Sequence, residues 1–308
     1  MHDRRQLPQI GELMFDRLMG KFLVEEGMLS KGQLDQVYRS QEENRAKLGV
    51  IAVSEKLMTI AQAEEINALQ ASRDMRFGDL AVARGYLQQE QVERLLAEQT
   101  NEFMAFSQAV VDHGYMTLEE VTGAVSGFQK KFGLLESDME ALKAGDIERI
   151  VPIFLGSDQK EYEQFLALAI KNIYRLVDAH ICIGRARTTR ELQGEAIGYQ
   201  KIRGDCTLLM AITGKYSDMQ NMAIAYTKEE FIETREDALD ALCELINCIN
   251  GLYVTQKSLE GLNIELEPPV YLPGFASISA VGMVVMPVYI DNAEIELVVS
   301  MEKEVVVR

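Results

Sequence analysis

Three polar residues in the second half of the chain have the types and the spacing that chemistry on a helix surface requires. Asp240, Glu244 and Asn247 are spaced i, i+4 and i+7, so they project from one helix face, and Asn250 extends the line. Ionised carboxylates only accept hydrogen bonds, whereas a carboxamide both donates and accepts them. Apolar residues cover most of the remaining circumference, which predicts a helix packed on a sheet with this stripe at the surface. The alternative interpretation is an ordinary solvated face.

Other site chemistries are poorly supplied. The chain contains only three histidines, His2, His113 and His180. This number is too small for a His-rich metal site and offers few candidates for the histidine of a Ser-His-Asp triad. We expect no metal and no cofactor in this chain. The four cysteines show no CxxC spacing and fall on apolar stretches, which is typical of reduced, buried thiols in a cytoplasmic protein. They are Cys182, Cys206, Cys243 and Cys248.

Length and charge bound the organisation of the chain. Its 308 residues favour two domains. A net charge of −17 opposes nucleic-acid binding, although a small anion could still bind a local arginine or backbone N–H groups. No apolar run reaches 18 residues, so we expect no membrane insertion. Asp16 and Arg17 interrupt any signal-peptide core near the N-terminus.

The first half contains four copies of a 29-residue repeat. Gly20, Gly49 and Gly78 are evenly spaced, and the same step separates the glutamines Gln41, Gln70 and Gln99. Each copy reads as two helices joined by a turn, because three S/T-x-x-E/Q capping boxes open the second helices. These boxes are Ser30–Gln33, Thr59–Gln62 and Thr117–Glu120. Gly27, Gly85 and Gly114 fall where the preceding helices should end.

The third repeat also resembles a known nucleotide-binding motif. The segment from Arg76 to Gln99 is similar to the motif of the MshEN domain of type II secretion and pilus ATPases, and the resemblance is carried by residues 76–81, 85–87 and Gln99. This resemblance covers roughly residues 18–129 and implies cyclic di-GMP binding, since an arginine beside glycine backbone can stack on guanine or bind phosphate. The possible nucleotide-binding residues are Lys47, Gly49, Arg76, Gly78 and Gln99. Without the ligand, the repeats are an α-helical interaction module.

The second half is predicted to be an α+β domain beginning near residue 148, which divides the chain into 1–148 and 149–308. We expect an all-helical repeat domain followed by an antiparallel sheet with two long helices. The helices are predicted over 161–177 and from a capping box at Thr227 to about residue 255. Strands are predicted over 194–203, 206–213, 220–226, 279–289 and 294–301, with turns at 203–205, 214–218 and 291–292.

The polar stripe then carries a second resemblance. Asp240, Glu244 and Asn247 are similar to the D-x3-E-x2-N signature of the CheC/CheX/FliY family of chemotaxis phosphatases. In the family this signature is followed by a proline at a fixed distance. Here the prolines are Pro268 and Pro269, one or two positions closer to Asn247 than the family's usual spacing. The resemblance covers residues 150–308, and its single motif copy is most similar to the CheX branch.

This resemblance implies a phosphatase acting on the aspartyl phosphate of a CheY-like receiver domain in chemotaxis or two-component signalling. Asn247 would orient the attacking water, Glu244 would pair with a receiver lysine, and Asp240 and Asn250 would be docking or surface contacts. Mg²⁺ is expected on the phosphorylated partner rather than in this chain.

The sequence leaves three functions open. The first is a receiver phosphatase with a regulatory N-terminal module. The second is a non-catalytic adaptor that docks a receiver, and the third is a cyclic di-GMP sensor that can coexist with either. A homodimer is predicted as well, because strand 294–301 would otherwise be an unprotected edge.

Overall fold

The chain divides into two compact units. The computed structural model describes residues 12–41, 46–72, 75–156, 158–230, 232–290 and 293–308. One unit is Phe15–Met139, and Glu140–Arg308 makes up most of the other. The boundary predicted near residue 148 lies in the second of these units, within the helix Ile147–Phe154. The division into domains 1–148 and 149–308 stays a prediction.

Four helical hairpins build the N-terminal unit, as the repeat predicts. Their helices, α1 to α8, are Glu12–Glu25, Lys31–Gln41, Leu48–Ser54, Ile60–Ser72, Phe77–Ala83, Gln89–Ala97, Glu102–Asp112 and Leu118–Phe132. The three predicted capping boxes all form; in the last, Thr117 Oγ1 accepts from the Glu120 N–H at 3.2 Å. Gly27, Gly85 and Gly114 adopt positive φ at the turns, and Lys56 takes the equivalent position in the second copy. Local sequence therefore determines both ends of these helices.

A buried carboxylate lies in this helical unit. Asp16 of α1 is fully buried, and its Oδ2 accepts from the Gln41 side-chain amide at 2.6 Å. Burial raises the pKa of Asp16 to about 6, against the opposing charge of Arg17 and the hydrogen bonds from Gln41 and the Arg17 N–H. Because the folded state binds this proton more tightly than the unfolded chain, Asp16 contributes stability that is complete below pH 4 and disappears as the pH rises through about 6.

We expect the N-terminal unit to be more stable at pH 5 than at pH 7.5. The rise in the pKa of Asp16 from 3.8 to about 6 corresponds to about 3 kcal/mol between full protonation and full ionisation, of which roughly half is lost between pH 5 and pH 7.5. Asp16→Asn, which resembles the protonated acid, should flatten this dependence, whereas Asp35→Asn at an exposed position should retain it. Hydrogen exchange of the α1 amides at the two pH values measures the effect. Equal pH dependence in the wild type and in Asp16→Asn would contradict it.

The C-terminal unit combines helices with one antiparallel sheet. Its helices are α9 to α13, of which α9 crosses the boundary between the units: Glu136–Ala144, Ile147–Phe154, Glu163–Leu176, Tyr216–Thr227 and Arg235–Leu259. Its described strands are β1 to β9: Ile181–Ile183, Arg187–Gly194, Ala196–Gly204, Leu208–Gly214, Ile264–Leu266, Val270–Leu272, Ala276–Ile290, Ala293–Ser300 and Val306–Val307. The predicted fold class is confirmed, and the two long helices are α11 and α13.

The sheet runs in the order β1-β7-β8-β4-β3-β5. In addition, β2 and β9 pair with β7, and β6 pairs with β3. Helix α13 packs on β3, β4, β5 and β6, with α11 and α12 beside it. The opposite face of the sheet is also apolar, with Ile197, Leu209 and Val298 in one buried cluster. Both faces of the central strands are therefore covered.

Three predicted features are wrong between β4 and α13. Residues 220–226 are not a strand but belong to α12, which begins directly after Lys215 and so also replaces the turn predicted at 214–218. Met219, Met222 and Ala223 are buried on one side of this helix, at helical rather than alternating spacing. The second long helix does not open at Thr227 but at Thr234, whose Oγ1 accepts from the Asp237 N–H at 3.1 Å.

The prediction that strand 294–301 is an edge is also wrong. This strand is β8, and it pairs with β7 on one side and with β4 on the other. Its first half alternates, with Glu294 exposed, but residues 297–300 are all buried because the sheet is covered on both faces. The predicted homodimer thereby loses its stated basis and stays a prediction. The sequence missed β2, which lies beside β7 and is largely exposed.

Three smaller expectations concern the cysteines, one turn and membrane-spanning helices. None of the four cysteines, all of which are described, forms a disulfide, but Cys248 is exposed and Cys206 is only partly buried, so the expectation of four buried thiols is wrong. The turn predicted at 291–292 lies outside the described residues. Among the helices that are described, none is long and apolar enough to cross a membrane.

Candidate functional site

The polar stripe lies on the solvent side of α13. Thr234 caps the helix, and its apolar side is buried against the sheet, where Leu242 and Ile246 are fully inaccessible. Asp240, Glu244 and Asn247 are exposed, so the structure brings these three predicted residues to one accessible helix face. The stripe is therefore available to another molecule, as the spacing predicted.

The carboxamide of Asn247 is anchored at one end. Its Oδ1 accepts a hydrogen bond of 2.7 Å from Nε2 of Gln200 on β3. No described residue accepts from its Nδ2. The side chain is thus exposed but held, with its donor group left for an external acceptor.

Asn250 is a correction to the predicted site. It is fully buried, so it is not a docking or surface contact. Each residue advances an α-helix by 100°, which places Asn250 about 60° round from Asn247, on the side away from Glu244. That rotation turns it towards the sheet, where its Nδ2 donates to Gln200 Oε1 at 2.9 Å.

A tyrosine of α12 lies beside the stripe. The Tyr226 hydroxyl is 3.9 Å from Cys248 Sγ, and burial raises the pKa of Tyr226 to about 12, with smaller contributions from Cys248 and Glu244. Burial also raises the pKa of Cys243, on the buried side of α13, to about 11, with Asp240 adding to the shift. Tyr226 and Cys243 are therefore neutral at physiological pH, and the charge on this face comes from its carboxylates.

The two prolines that follow the motif in sequence lie between two strands that pair with β3. Pro268 and Pro269 connect β5 to β6, and both strands pair with β3, the strand that carries Gln200.

Within the described chain, no group of three or more His, Cys, Asp or Glu side chains could hold a metal ion.

Three of the five nucleotide-binding candidates of the N-terminal unit have packing roles. A Cβ on Gly78 would lie 2.6 Å from Val92, and one on Gly49 would lie 3.1 Å from the Phe77 ring, so both glycines allow close helix contacts. Gln99 donates to the Ala46 carbonyl at 2.9 Å. Packing therefore accounts for Gly49, Gly78 and Gln99 without a ligand.

The two candidate cations of that unit differ in their surroundings. Lys47 pairs with Asp112 at 2.8 Å beside a cavity of about 420 Å³. Gly49 also lines this cavity, whereas Arg76, Gly78 and Gln99 do not. The backbone of Arg76 caps α5, but its side chain makes no capping bond. The structure therefore does not gather the five predicted residues around this cavity.

Comparison with known proteins singles out the region that carries the stripe. Residues 196–281 match a family model. The family is chemotaxis phosphatase CheX. The matched region contains Gln200 as well as Asp240, Glu244, Asn247 and both prolines, and it contains none of the N-terminal repeats. No curated protein gives a significant match.

Several solved structures are similar to slightly less than half of the chain. CheX from Desulfovibrio desulfuricans is 16% identical, with a TM-score of 0.40, over 46% of this chain and 99% of that one. A CheX–CheY–BeF3–Mg²⁺ complex from Borrelia burgdorferi is 18% identical, with a TM-score of 0.38, over 47% of this chain and 96% of that one. FliY from Thermotoga maritima is 14% identical, with a TM-score of 0.33, over 46% of this chain and 88% of that one.

Gln200 is the site residue that the sequence did not reveal. It lies between Gly198 and Ile202 on a strand, and a single polar residue there carries no motif. The available signal was its alternation: Gly198, Gln200 and Ile202 share the face that α13 covers, where an amide requires partners.

Proposed function

We propose that this chain is a phosphatase acting on the aspartyl phosphate of a CheY-like receiver domain. The observation that carries the proposal is an exposed, anchored Asn247 carboxamide on α13, three residues after an exposed glutamate, inside the region matched by the CheX family. The resemblance seen in the sequence and the family match support the same substrate.

The chemistry needs little from this chain beyond positioning. An aspartyl phosphate is an activated acyl phosphate, and Mg²⁺ held by the receiver would neutralise the developing charge. What remains is to hold a water in line with phosphorus. The Nδ2 of Asn247 can donate to that water or to a phosphoryl oxygen without bringing a negative charge to the phosphate. The Glu244 carboxylate would pair with a lysine of the receiver and fix the docked orientation.

The proposal is limited to the C-terminal unit. The receiver as substrate implies a cytoplasmic location for the complex. Cyclic di-GMP binding by the N-terminal unit stays a prediction. Packing contacts account for Gly49, Gly78 and Gln99 without requiring a ligand. Asp240 is proposed as a peripheral docking contact, since it lies one turn before Glu244 on the same face.

The test is turnover of a phosphorylated receiver. A panel of purified CheY-like receivers is phosphorylated with a small phosphodonor in Mg²⁺, and the loss of phosphate is followed with and without this chain. We expect at least one receiver to lose phosphate roughly tenfold faster or more with the chain present, since positioning alone contributes factors of this size. Receivers that bind the chain but lose phosphate at their own rate would instead indicate the adaptor function and overturn the proposal.

A further inference from the structure

Gln200 is an unusual residue for its position. It lies in the middle of β3, only 1% exposed, on the sheet face that α13 covers. Its neighbour on the same face, Gly198, faces Cys243 and Ile246 of that helix. Burying a carboxamide in such a place is costly unless its polar atoms are hydrogen-bonded. The partners it has found therefore indicate why a glutamine stands there.

All three partners of Gln200 belong to the site or its immediate support. Nε2 donates to the Glu267 carbonyl at 2.8 Å and to Asn247 Oδ1 at 2.7 Å. Oε1 accepts from Asn250 Nδ2 at 2.9 Å. Both hydrogens of the amide nitrogen are thus used, and one of them reaches the side chain on which the proposed function depends.

These contacts determine which way the Asn247 amide points. A main-chain carbonyl can only accept, so the group of Gln200 that faces Glu267 must be its nitrogen. The same nitrogen meets Asn247, which must therefore present its oxygen. The Nδ2 of Asn247, an exposed residue, is then left without an acceptor among the described residues. A single carbonyl at Glu267 thus selects one of two amide orientations that would otherwise be similar in shape.

The carbonyl that makes this selection is itself fixed. The Glu267 N–H donates to the Lys201 carbonyl at 2.9 Å, which extends the pairing of β5 with β3 by one residue. Pro268 follows and restricts the backbone of Glu267 to extended conformations. On the other side, Asn250 keeps a buried Oδ1 without a hydrogen-bond partner while it donates to Gln200. An unsatisfied buried oxygen is unfavourable. Its presence indicates that the hydrogen bond from Asn250 to Gln200 stabilises the structure by more than the unsatisfied Oδ1 destabilises it.

We propose that Gln200 is a positioning residue, which holds Asn247 with its amide donor outward through a buried relay from Glu267. This inference rests on the proposed phosphatase function. Gln200 does not touch the substrate. It removes the rotational freedom of the carboxamide before the receiver docks, so its loss affects turnover rather than docking.

The kinetic test replaces Gln200 with methionine, which has a similar length and no donor. We expect kcat for a phosphorylated receiver to fall about tenfold or more while KM stays within about twofold, because misplacing a catalytic group by 1 Å can cost a factor of a hundred. Ile202→Val, two residues along the same face of β3, is the matched control for a change in packing. An unchanged kcat in Gln200→Met, alongside an inactive Asn247→Ala, would overturn the inference and leave the proposed function standing.

A second measurement separates positioning from stability. The Asn247 side-chain NH2 gives its own ¹H–¹⁵N signal, identified by its absence in Asn247→Ala. In the wild type and in Ile202→Val we expect the order parameter of this NH2 group to be that of a fixed side chain. In Gln200→Met we expect the order parameter of a freely rotating one. If the wild type shows no phosphatase activity, the proposed function fails, and this spectrum still decides whether Gln200 orders Asn247. Equal side-chain order in all three proteins would overturn the relay.

Discussion

Asn247→Ala is expected to lower kcat for a phosphorylated receiver by about a hundredfold, the loss typical of removing one positioned hydrogen-bond donor. The substitution removes the donor that faces solvent and leaves the receiver's Mg²⁺ and the Glu244 contact in place. We therefore expect KM to change little. Steady-state loss of phosphate from the receiver, measured across receiver concentrations, gives kcat and KM separately.

Two further variants make this result specific. Asn247→Asp still accepts from Gln200 but presents a negative oxygen to the phosphate, so its kcat should be no higher than that of Asn247→Ala. Gln256→Ala removes an exposed carboxamide elsewhere on α13 and should match the wild type. Stability should fall by at most about 1 kcal/mol in Asn247→Ala, because water can replace the lost partner of Gln200. Wild-type turnover by Asn247→Ala would remove the amide from the mechanism.

Glu244→Lys is expected to raise KM for the phosphorylated receiver by roughly tenfold or more, since two like charges opposed in an interface cost several kcal/mol. The proposed partner of Glu244 is a receiver lysine, so charge reversal replaces an attraction with a repulsion. Glu244 is exposed in the free chain, and we expect folding stability to change by less than about 0.5 kcal/mol. Titration of receiver binding and saturation kinetics check the two statements.

The control for charge alone is Glu236→Lys. Glu236 lies in the first turn of the same helix, is exposed, and gives the same change in net charge. It should shift KM only slightly, and added salt should abolish the shift, because exposed charges at longer range are screened. If Glu236→Lys and Glu244→Lys raise KM equally, the effect comes from the overall field of this acidic chain and not from a docking contact.

The N-terminal hairpins illustrate what local sequence can determine. A capping box involves residues three apart, and a turn glycine acts within one helix end, so the sequence contains the complete interaction. The 29-residue step then predicts four copies of one hairpin, which the structure confirms. The sequence could not tell whether the repeated glycines serve a ligand or a neighbouring helix, because Gly78 and Val92 meet only after the two helices of the hairpin pack.

Two of the errors in the C-terminal unit concern predicted strands. Alternation along residues 294–301 indicates which faces of the segment are buried, not which strands it pairs with. In β8 the alternation disappears where the second face of the sheet is covered. In α12 the spacing of Met219, Met222 and Ala223 is helical, but the segment is short enough for a strand pattern to fit as well.

The sequence by itself determined that Asp240, Glu244 and Asn247 share an exposed helix face, because helix geometry relates residues that are close in the chain. Only the tertiary structure decided what lies beneath that face. Gln200 is 47 residues from Asn247 and 67 from Glu267, so no local pattern connects the three. Sheet pairing brings Glu267 beside β3, helix packing brings Asn247 over it, and together they orient one amide.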